Sequence, residues 1–553
     1  MFNREYCPTP QWVRENFKLL DGEWEFEGQK IKVPYPPESE MSGFKGKVPE
    51  NMTYKKTFSL PEKFKTGQVI LHFGAVDQIA DVFLNDVFIG HHEGGYLSFS
   101  FNVTEEIKRD EENVLVVKAT DTLSHKYPYG KQRKNRGGMW YTPVSGIWKS
   151  VWIESVPEEY IKSVRLTPDL YGVYVEVNLS TKHLDEYALE EDQKITVKIN
   201  GGEEKSFYET DFYIRIDEPH LWSPDDPYLY DIEFSFMEDK VLSYFGLRTI
   251  EIKKIRGKNR VCLNEKPIFL QGILDQGYFP EGIYVPSDKK AYDRDILNMK
   301  ELGINMLRKH IKIEPPYFYY AADKLGILVM QDMVNNGPYE YFSETIAPTL
   351  TFKKRPDIYF RHVDRSRKEF FIRHSKDTLD ELYNCTCIVM YTIFNEGWGQ
   401  FESDRIYDTL KEKDPTRLYD STSGWFAQER SDFDSEHIYF HNERLRPKER
   451  PMLLSECGGY SYGVKGHLFH KKVYGYGAVR SEKELTEKII LMYREMVFPA
   501  IAEGLCGVVY TQLSDVEEEI NGLYTYDRKV LKVDADKMKK LSKKVFDVLS
   551  VHV

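Results

Sequence analysis

Eight apolar, strand-like runs alternate with helix-like segments from about residue 258 to the end of the chain. The runs lie at residues 267–273, 304–310, 327–333, 387–396, 417–423, 435–440, 451–456 and 507–513. Helical patterns lie at residues 290–302, 315–325, 360–382, 401–413, 482–502 and 534–549. Eight strands that are each followed by a helix or a long connection predict a (β/α)8 TIM barrel of about 300 residues.

The first half of the chain has a different pattern, in which short runs alternate apolar and polar residues and turn residues separate them. One series lies at residues 54–60, 69–73, 79–85, 114–120 and 149–155, and a second at 162–168, 173–179, 194–200, 212–217 and 229–236. Short strands at such regular spacing are typical of β-sandwiches. We therefore predict two sandwiches, at residues 1–157 and 158–256, followed by the barrel at 257–553.

Charge and composition exclude several classes of partner. The 76 basic and 88 acidic residues give a net charge of −12, so there is no basic excess to bind nucleic acid. No apolar run approaches the roughly 20 residues that span a bilayer, so no membrane partner is expected. The first residues carry no apolar signal region, and the six cysteines form no CxxC pair. These features predict a cytoplasmic protein with free thiols.

Polar residues follow the predicted barrel strands, at the end where TIM barrels carry their active sites. They are Asp275 and Gln276, Arg308, Lys309 and His310, Asp332, Asn395 and Glu396, His437 and Tyr439, Glu456, and Gln512 and Asp515. Glu396 and Glu456 follow the fourth and seventh strands and are expected to project into one cleft.

A pair of carboxylates in an aromatic-rich cleft suits the hydrolysis of glycosides. One carboxyl group donates a proton to the leaving oxygen, and the other, ionised, attacks the anomeric carbon. Trp398, Trp425 and Tyr439 offer flat faces on which sugar rings can stack. On position alone, an alternative stays open in which the two glutamates are unrelated, because every barrel has polar strand ends.

Several segments resemble glycoside hydrolase family 2, the group that contains β-galactosidases, β-glucuronidases and β-mannosidases. The segments are LLDGEWEF (19–26), LNDVFIGHHEGGY (84–96), VSGIWKSVWIE (144–154), LWSPDDPYLY (221–230), FGLR (245–248), IVMYTIFNEGWGQF (388–401) and PMLLSECGG (451–459). The resemblance covers essentially the whole chain. It implies a jelly-roll-like N-terminal β-sandwich that resembles a sugar-binding domain, an immunoglobulin-like β-sandwich and a catalytic TIM barrel.

The resemblance also implies roles for individual residues. Glu396 matches the family's general acid/base and Glu456 its nucleophile. Asn395 would bond the sugar 2-hydroxyl, Tyr439 would support the nucleophile, and Arg308 would keep it ionised. The full set of expected substrate-binding residues is Asn395, Asp275, Arg308, His310, Asp332, Trp398, Trp425 and Tyr439.

Departures from the family patterns bear on the sugar. The segments RKHIKIEPP (308–316) and LDQGYFPEG (274–282) lack the family's usual histidine-containing motifs. The stretch INGLYTYDRK (520–529) lacks the lysine with which β-glucuronidases grip the uronate. Lys309, Lys312 or the loop at 131–136 could replace it, although a solvated loop is the simpler interpretation of 131–136. We also expect Asp275, Asp332 and Asp515 to make the barrel mouth negative, which disfavours a uronate.

Taken together, the sequence predicts a retaining exo-β-glycosidase, most similar to the β-galactosidases, that hydrolyses terminal β-linked sugars. A β-glucuronidase, or an arabinosidase or galactofuranosidase of the same family, stays open. The alternative of another class is a carbohydrate-binding protein without catalysis. The chemistry requires no cofactor or metal, the expected partner is an oligosaccharide or glycoside substrate, and a homo-oligomer stays open.

Overall fold

Two antiparallel sheets open the chain in the computed structural model, which describes residues 4–553 except 65, 181–188, 190, 347, 349–356, 358–363 and 440. The six-stranded sheet has the order Gln29–Val33, Gly22–Phe26, Asn51–Phe58, Asn113–Thr120, Ile79–Leu84 and Val87–Glu93. The four-stranded sheet has the order Phe17–Leu19, Val151–Val156, Gln68–Phe73 and Phe99–Asn102. In strand Asn51–Phe58, Met52, Tyr54 and Phe58 are buried, whereas Thr53, Lys55 and Thr57 are exposed. This alternation is expected of a sandwich strand.

A second sandwich follows, with its own apolar core. One sheet contains Ile161–Pro168, Gly172–Leu179 and Asp211–Arg215; the other contains Glu204–Phe207, Ile195–Ile199, Tyr230–Phe236 and Asp239–Phe245. A small antiparallel sheet of Ile250–Ile255, Lys258–Leu263 and Lys266–Pro267 then leads into the barrel. The predicted limit at residues 256 and 257 falls inside this connecting sheet, and the domain limits stay predictions.

Eight parallel strands form the barrel sheet. They are β1 (Leu270–Asp275), β2 (Met306–Lys309), β3 (Leu328–Asp332), β4 (Ile388–Asn395), β5 (Leu418–Ser423), β6 (Asp434–Ile438), β7 (Met452–Gly458) and β8 (Leu505–Thr511). Their order is β5-β4-β3-β2-β1-β8-β7-β6. Strands β5 and β6 are the two ends of this order, and between them the Ser435 hydroxyl donates to the Thr422 carbonyl over 3.1 Å. All residues of β4 are buried, which explains its almost continuous apolar sequence.

Helices cover the outside of the barrel. They are α1 (Lys290–Glu301), α2 (Pro316–Leu325), α3 (Arg365–Leu382), α4 (Ser403–Lys413), α5 (Glu482–Met492), α6 (Phe498–Glu503) and α7 (Ala535–His552), with a π-helical turn, Tyr493–Val497, joining α5 to α6. In α7 the buried residues Met538, Leu541, Val545 and Leu549 recur at helical spacing, so one face packs on the barrel.

The predicted fold class, two β-sandwiches and a TIM barrel, is confirmed. Each of the eight predicted barrel strands overlaps an observed one. Strands such as β3, β4 and β8 are buried on both faces and therefore stand out as apolar. The predicted helix start at 360–363 and strand end at 440 lie outside the described residues. All six cysteines are buried free thiols. Among the described helices, none combines the length and apolar character needed to span a membrane.

Candidate active site

Glu396 and Glu456 meet at the carboxyl ends of the barrel strands. Asn395 is the last residue of β4 and Glu396 follows it, whereas Glu456 lies near the end of β7. One carboxylate oxygen of each glutamate and one ring nitrogen of His437, on β6, lie within 4.8 Å of one another. An approach of two carboxylate oxygens within 4.8 Å fits the roughly 5–5.5 Å between the carboxyl groups of retaining glycosidases better than the roughly 6.5–9.5 Å of inverting ones.

Glu456 is held as an anion by its neighbours. Arg308 Nη1 donates to Glu456 Oε1 over 2.9 Å, and the Tyr439 hydroxyl donates to Oε2. Burial alone would raise the pKa of Glu456, but His437 and Arg308 outweigh it and lower that pKa to about 2. A buried carboxylate that is held ionised is suited to nucleophilic attack.

Arg308 is the centre of this polar cluster, and its side chain is completely buried. Its Nε donates to Asp332 over 3.1 Å, its Nη2 to Asn395 Oδ1 over 2.8 Å, and its Nη1 also to the Ser455 carbonyl over 3.0 Å. Burial opposes the charge of Arg308, but Asp332 and Glu456 overcome this and raise its pKa. Because Asn395 Oδ1 accepts from Arg308, its N–H groups are the ones available to a ligand.

The backbone at Glu396 is unusual, with a φ of 53° in the left-handed region. The Glu396 N–H donates to the Ser423 carbonyl over 3.0 Å, and the Trp425 indole donates to the Glu396 carbonyl over 3.1 Å. These bonds hold a conformation that costs a non-glycine residue about 1–3 kcal/mol and that recurs at functional sites. The side chain of Glu396 is thereby aimed at His437, whose Nδ1 lies 2.8 Å from Glu396 Oε1.

The acidic residues expected to make the mouth negative are instead paired with cations. Asp275 accepts from Lys309 over 2.6 Å, and Asp515 accepts from Lys532 over 2.5 Å. Asp332 accepts from Arg308 and lies 2.7 Å from His310 Nδ1. The expectation of an uncompensated negative charge from these three aspartates is therefore wrong. Asp275, His310 and Asp332 are buried and lie around the cluster that positions Glu456.

The two lysines considered as uronate ligands, Lys309 and Lys312, already form ion pairs with buried carboxylates. Lys309 bonds Asp275 and Glu314, each at 2.6 Å. Lys312 bonds Glu314 at 2.9 Å and donates to the Gly277 and Tyr284 carbonyls. Burial lowers the pKa of Lys312 to about 8, against the opposing effect of Glu314.

The three aromatic residues differ in their surroundings, and Trp398 is too deeply buried to offer the flat face expected for a sugar ring. Trp398 is 1% exposed, and its indole donates to the Gly337 carbonyl over 2.9 Å. Trp425 packs edge-on against His437, with ring centroids 5.5 Å apart. Tyr439 stacks on Tyr476, with centroids 4.6 Å apart. These contacts fix the rings around the two glutamates.

A segment of the first sandwich docks on the barrel mouth, which the sequence analysis missed. Tyr141 donates to the Glu519 carboxylate, and Arg136 pairs with Glu517 at 3.0 Å. The Trp140 ring lies 5.2 Å from the Trp398 ring. In the loop predicted to be solvated, residues 133–136 are exposed but Lys131 and Gln132 are buried. The aromatic pair Trp140 and Tyr141 beside this basic loop was the available signal.

His437 is a second feature of the site that the sequence did not reveal, since the sequence identified it only as a residue at the end of a strand. Its side chain is fully buried, and its two ring nitrogens face different glutamates. Alternation along β6 could have predicted that His437 and Tyr439 point to the same side of the sheet.

Known protein families match three consecutive parts of the chain. The glycosyl hydrolase 2 galactose-binding domain-like model matches residues 27–165, the glycosyl hydrolases family 2 model 159–248, and the family 2 TIM barrel domain model 253–452.

Similar proteins include a β-galactosidase of Thermoanaerobacter pseudethanolicus, 29% identical over 299 residues, which are 51% of this chain and 39% of that protein. A β-glucuronidase of Bacteroides fragilis is 24% identical over 448 residues, which are 73% of this chain and 60% of that protein. The chain thus spans less than two thirds of the length of either relative.

A solved β-glucuronidase from an uncultured Clostridium species has a similar fold, with a TM-score of 0.73 and 20% identity over 96% of this chain and 99% of that one. The three consecutive family matches, in the domain order that the structure also shows, lead to one conclusion. The chain belongs to glycoside hydrolase family 2.

Proposed function

We propose that the chain is a retaining exo-β-glycosidase in which Glu456 is the nucleophile and Glu396 the general acid/base. The observation that carries this proposal is the pairing of the two carboxylates within 4.8 Å at the ends of β4 and β7. Water needs a wider gap to attack the sugar directly, so this spacing favours a covalent intermediate on one of the two carboxylates.

In the first half of the reaction, Glu456 attacks the anomeric carbon as the bond to the leaving oxygen breaks. The leaving oxygen takes a proton from Glu396. Arg308 and Tyr439 orient the attacking carboxylate, and Asn395 is positioned to bond a sugar hydroxyl. In the second half, Glu396 takes a proton from water as the water attacks the glycosyl-enzyme, and Glu456 is released.

The non-catalytic alternative, a carbohydrate-binding protein, leaves the pairing of the glutamates unexplained. A binding protein has no need for a buried carboxylate at a strand end whose pKa is lowered to about 2 and which lies beside a second carboxylate. Turnover of aryl β-glycosides separates the two alternatives directly.

For the sugar, we propose a neutral glycoside, with a galacto-configured or arabinose-type ring favoured. A buried uronate carboxylate needs a paired cation, since leaving it unpaired costs several kcal/mol. Lys309 and Lys312 are already consumed by internal carboxylates. The similar proteins include both a β-galactosidase and β-glucuronidases, so this choice rests on the charges of the site.

A β-glucuronidase is the second candidate, and Lys131 is the observation that favours it. Lys131 is 9% exposed, and its Nζ lies 5.5 Å from the centre of the Trp140 ring. Among the described residues, no carboxylate forms a salt bridge with this ammonium group, although its charge acts on the buried Glu519 from a longer distance. Lys131 is therefore the residue that would hold a uronate carboxylate if the enzyme accepts one.

The test of the proposed function separates the two glutamates. Glu456→Ala should abolish turnover of every nitrophenyl glycoside. Glu396→Ala should lose about 10²–10⁴-fold on poor leaving groups, which need protonation, and far less on dinitrophenolates, which do not. Azide should partly restore Glu396→Ala and yield a β-glycosyl azide.

A matched control is Glu503→Ala. This carboxylate ends α6 at the opposite end of the barrel and should not affect turnover. Full activity of Glu456→Ala, or an α-configured azide product, would contradict the proposed mechanism.

A further inference from the structure

His437 occupies the space between the two glutamates. It lies on β6 opposite Glu456 of β7 in the strand register. Its Nδ1 is 2.8 Å from Glu396 Oε1, and its Nε2 is 3.7 Å from Glu456 Oε1 and 3.0 Å from the Ser423 hydroxyl. One imidazole thus contacts the acid/base directly and faces the nucleophile with its other nitrogen.

The surroundings leave this ring little freedom. A Cβ on Gly424, where φ is 93°, would lie 2.8 Å from His437 Cγ and Nδ1, so the backbone after β5 packs directly on the imidazole. The groups that face His437 are Glu396, directly after β4, Asp420 and Ser423 from β5, Glu456 from β7, and the Trp425 and Tyr439 rings. Burial raises the pKa of Asp420 to about 6, against the opposing effect of Arg308.

The 2.8 Å contact between Glu396 Oε1 and His437 Nδ1 requires one proton between the two atoms. Without it, a carboxylate lone pair would face a ring-nitrogen lone pair at hydrogen-bond distance. The proton can sit on either atom, because the carboxyl group and the imidazole both accept it. The hydroxyl of Ser423 can donate to Nε2 or accept from it, so it is compatible with either arrangement.

We propose that His437 is a positioning residue that shares one proton with Glu396 and thereby sets the protonation of the acid/base in both halves of the reaction. This inference rests on the proposed function. Before attack, the shared proton is the one that Glu396 gives to the leaving oxygen. After transfer, the deprotonated pair draws a proton from the attacking water, and this restores the starting state.

The nucleophile is linked to this pair through the same ring. Glu456 Oε1 lies 3.7 Å from His437 Nε2, so the charge of the proposed nucleophile acts on the ring that also contacts Glu396. When Glu456 becomes an ester, that charge is lost. The change occurs at the step where Glu396 has just given up its proton, so His437 connects the state of one glutamate to that of the other.

The experiment compares the variants His437→Gln and His437→Asn with the unmodified protein. Either amide can form hydrogen bonds in this place, but neither can hold a proton. On a poor leaving group, such as a phenyl glycoside, kcat/KM should fall about 10²–10³-fold, within the range of general acid–base effects. On a dinitrophenyl glycoside the loss should stay below about tenfold. The alkaline limb of the kcat/KM profile for the phenyl glycoside should move to lower pH.

The control is Ser423→Ala, which removes the hydroxyl on Nε2 but leaves the contact with Glu396. It should show a much smaller loss and no dependence on the leaving group. The double variant of Glu396→Gln and His437→Gln should be no worse than Glu396→Gln alone, because His437 acts through Glu396.

Equal losses on both substrates with an unchanged pH profile would overturn the inference. So would additive losses in the double variant, which can be measured even if the single variants are less stable. If Glu396→Gln shows the leaving-group dependence and the His437 variants do not, only this inference fails. If the unmodified protein turns over no glycoside and Glu456→Ala changes nothing, the proposed function fails instead.

Discussion

Replacing Arg308 by methionine tests how the protein keeps its proposed nucleophile ionised. Arg308 is completely buried and donates to Glu456 over 2.9 Å and to Asp332 over 3.1 Å. The nucleophile has a pKa lowered from 4.5 to about 2, although its burial acts in the opposite direction. A displacement of that size corresponds to roughly 3 kcal/mol of preference for the ionised form.

The sign of the effect follows from these contacts. Glu456 must be ionised to attack, and its low pKa keeps it ionised in all but strongly acid solution. An adjacent cation lowers a carboxyl pKa by about 1–3 units. In Arg308→Met, the acid limb of the kcat/KM profile should therefore lie about 1–3 pH units higher. Removing one partner of a buried pair also costs about 3–5 kcal/mol, so we expect a lower melting temperature and a lower plateau.

The assay is the kcat/KM profile from pH 3 to 9 with a dinitrophenyl glycoside, whose departure needs no acid. The unmodified protein should show no acid limb in this range, because the pKa of Glu456 is about 2, whereas Arg308→Met should show one. Lys309→Met is the matched control, because Lys309 is the next residue on β2, is equally buried, and pairs with Asp275 and Glu314. It should lose stability without moving the acid limb. Arg308→Lys retains a charge but not the planar fork, so its limb should lie between those of the unmodified protein and Arg308→Met.

An acid limb that stays in place in Arg308→Met, in a variant that still melts cooperatively, would refute this account of the nucleophile. A limb that moves equally in Lys309→Met would show that general damage to the barrel is responsible.

Two further predictions concern the second support of the nucleophile and the sugar. Tyr439→Phe removes the hydroxyl that donates to Glu456 and should lower kcat about 10–100-fold, as expected for a hydrogen bond to a charged group worth roughly 1.5–3 kcal/mol; an unchanged kcat would remove Tyr439 from the mechanism. At matched concentration and low salt, a neutral nitrophenyl β-glycoside should show a higher kcat/KM than the β-glucuronide, and a glucuronide that is ten times better would contradict the proposed sugar. In that case Lys131→Met should reduce glucuronide turnover by at least about tenfold, the loss expected for an unpaired carboxylate, while galactoside turnover stays within a factor of about three.

The barrel could be predicted from sequence because its signals are local. Strand β4 has the sequence IVMYTIFN, in which burial on both faces forces apolar side chains until the polar end at Asn395. The position of a residue at the end of a strand then gives its place in the barrel. This reasoning placed Glu396 and Glu456 in one cleft, and the structure brings their oxygens within 4.8 Å.

The contacts that decide the electrostatics could not be predicted in the same way. The aspartates at the strand ends were identified by position, but their pairing with Lys309, Arg308 and Lys532 depends on side-chain directions across several strands. The contact of Tyr141 with Glu519 joins residues 378 positions apart. The register shift between Glu436 and His437, which helps to place the imidazole, is also not visible in the sequence.

The polar cluster has a consequence for every pH profile measured on this protein. Asp332 contacts Arg308, Arg308 contacts Glu456, and His437 lies between Glu456 and Glu396, all inside the barrel. Groups this close titrate together, so the two limbs of a bell-shaped profile belong to the cluster and not to single residues. The dinitrophenyl substrate removes the need for an acid, so the acid limb of its profile reports the loss of the attacking carboxylate anion from the cluster. The phenyl substrate restores that need, and the difference between the two profiles then reports the proton that Glu396 and His437 share.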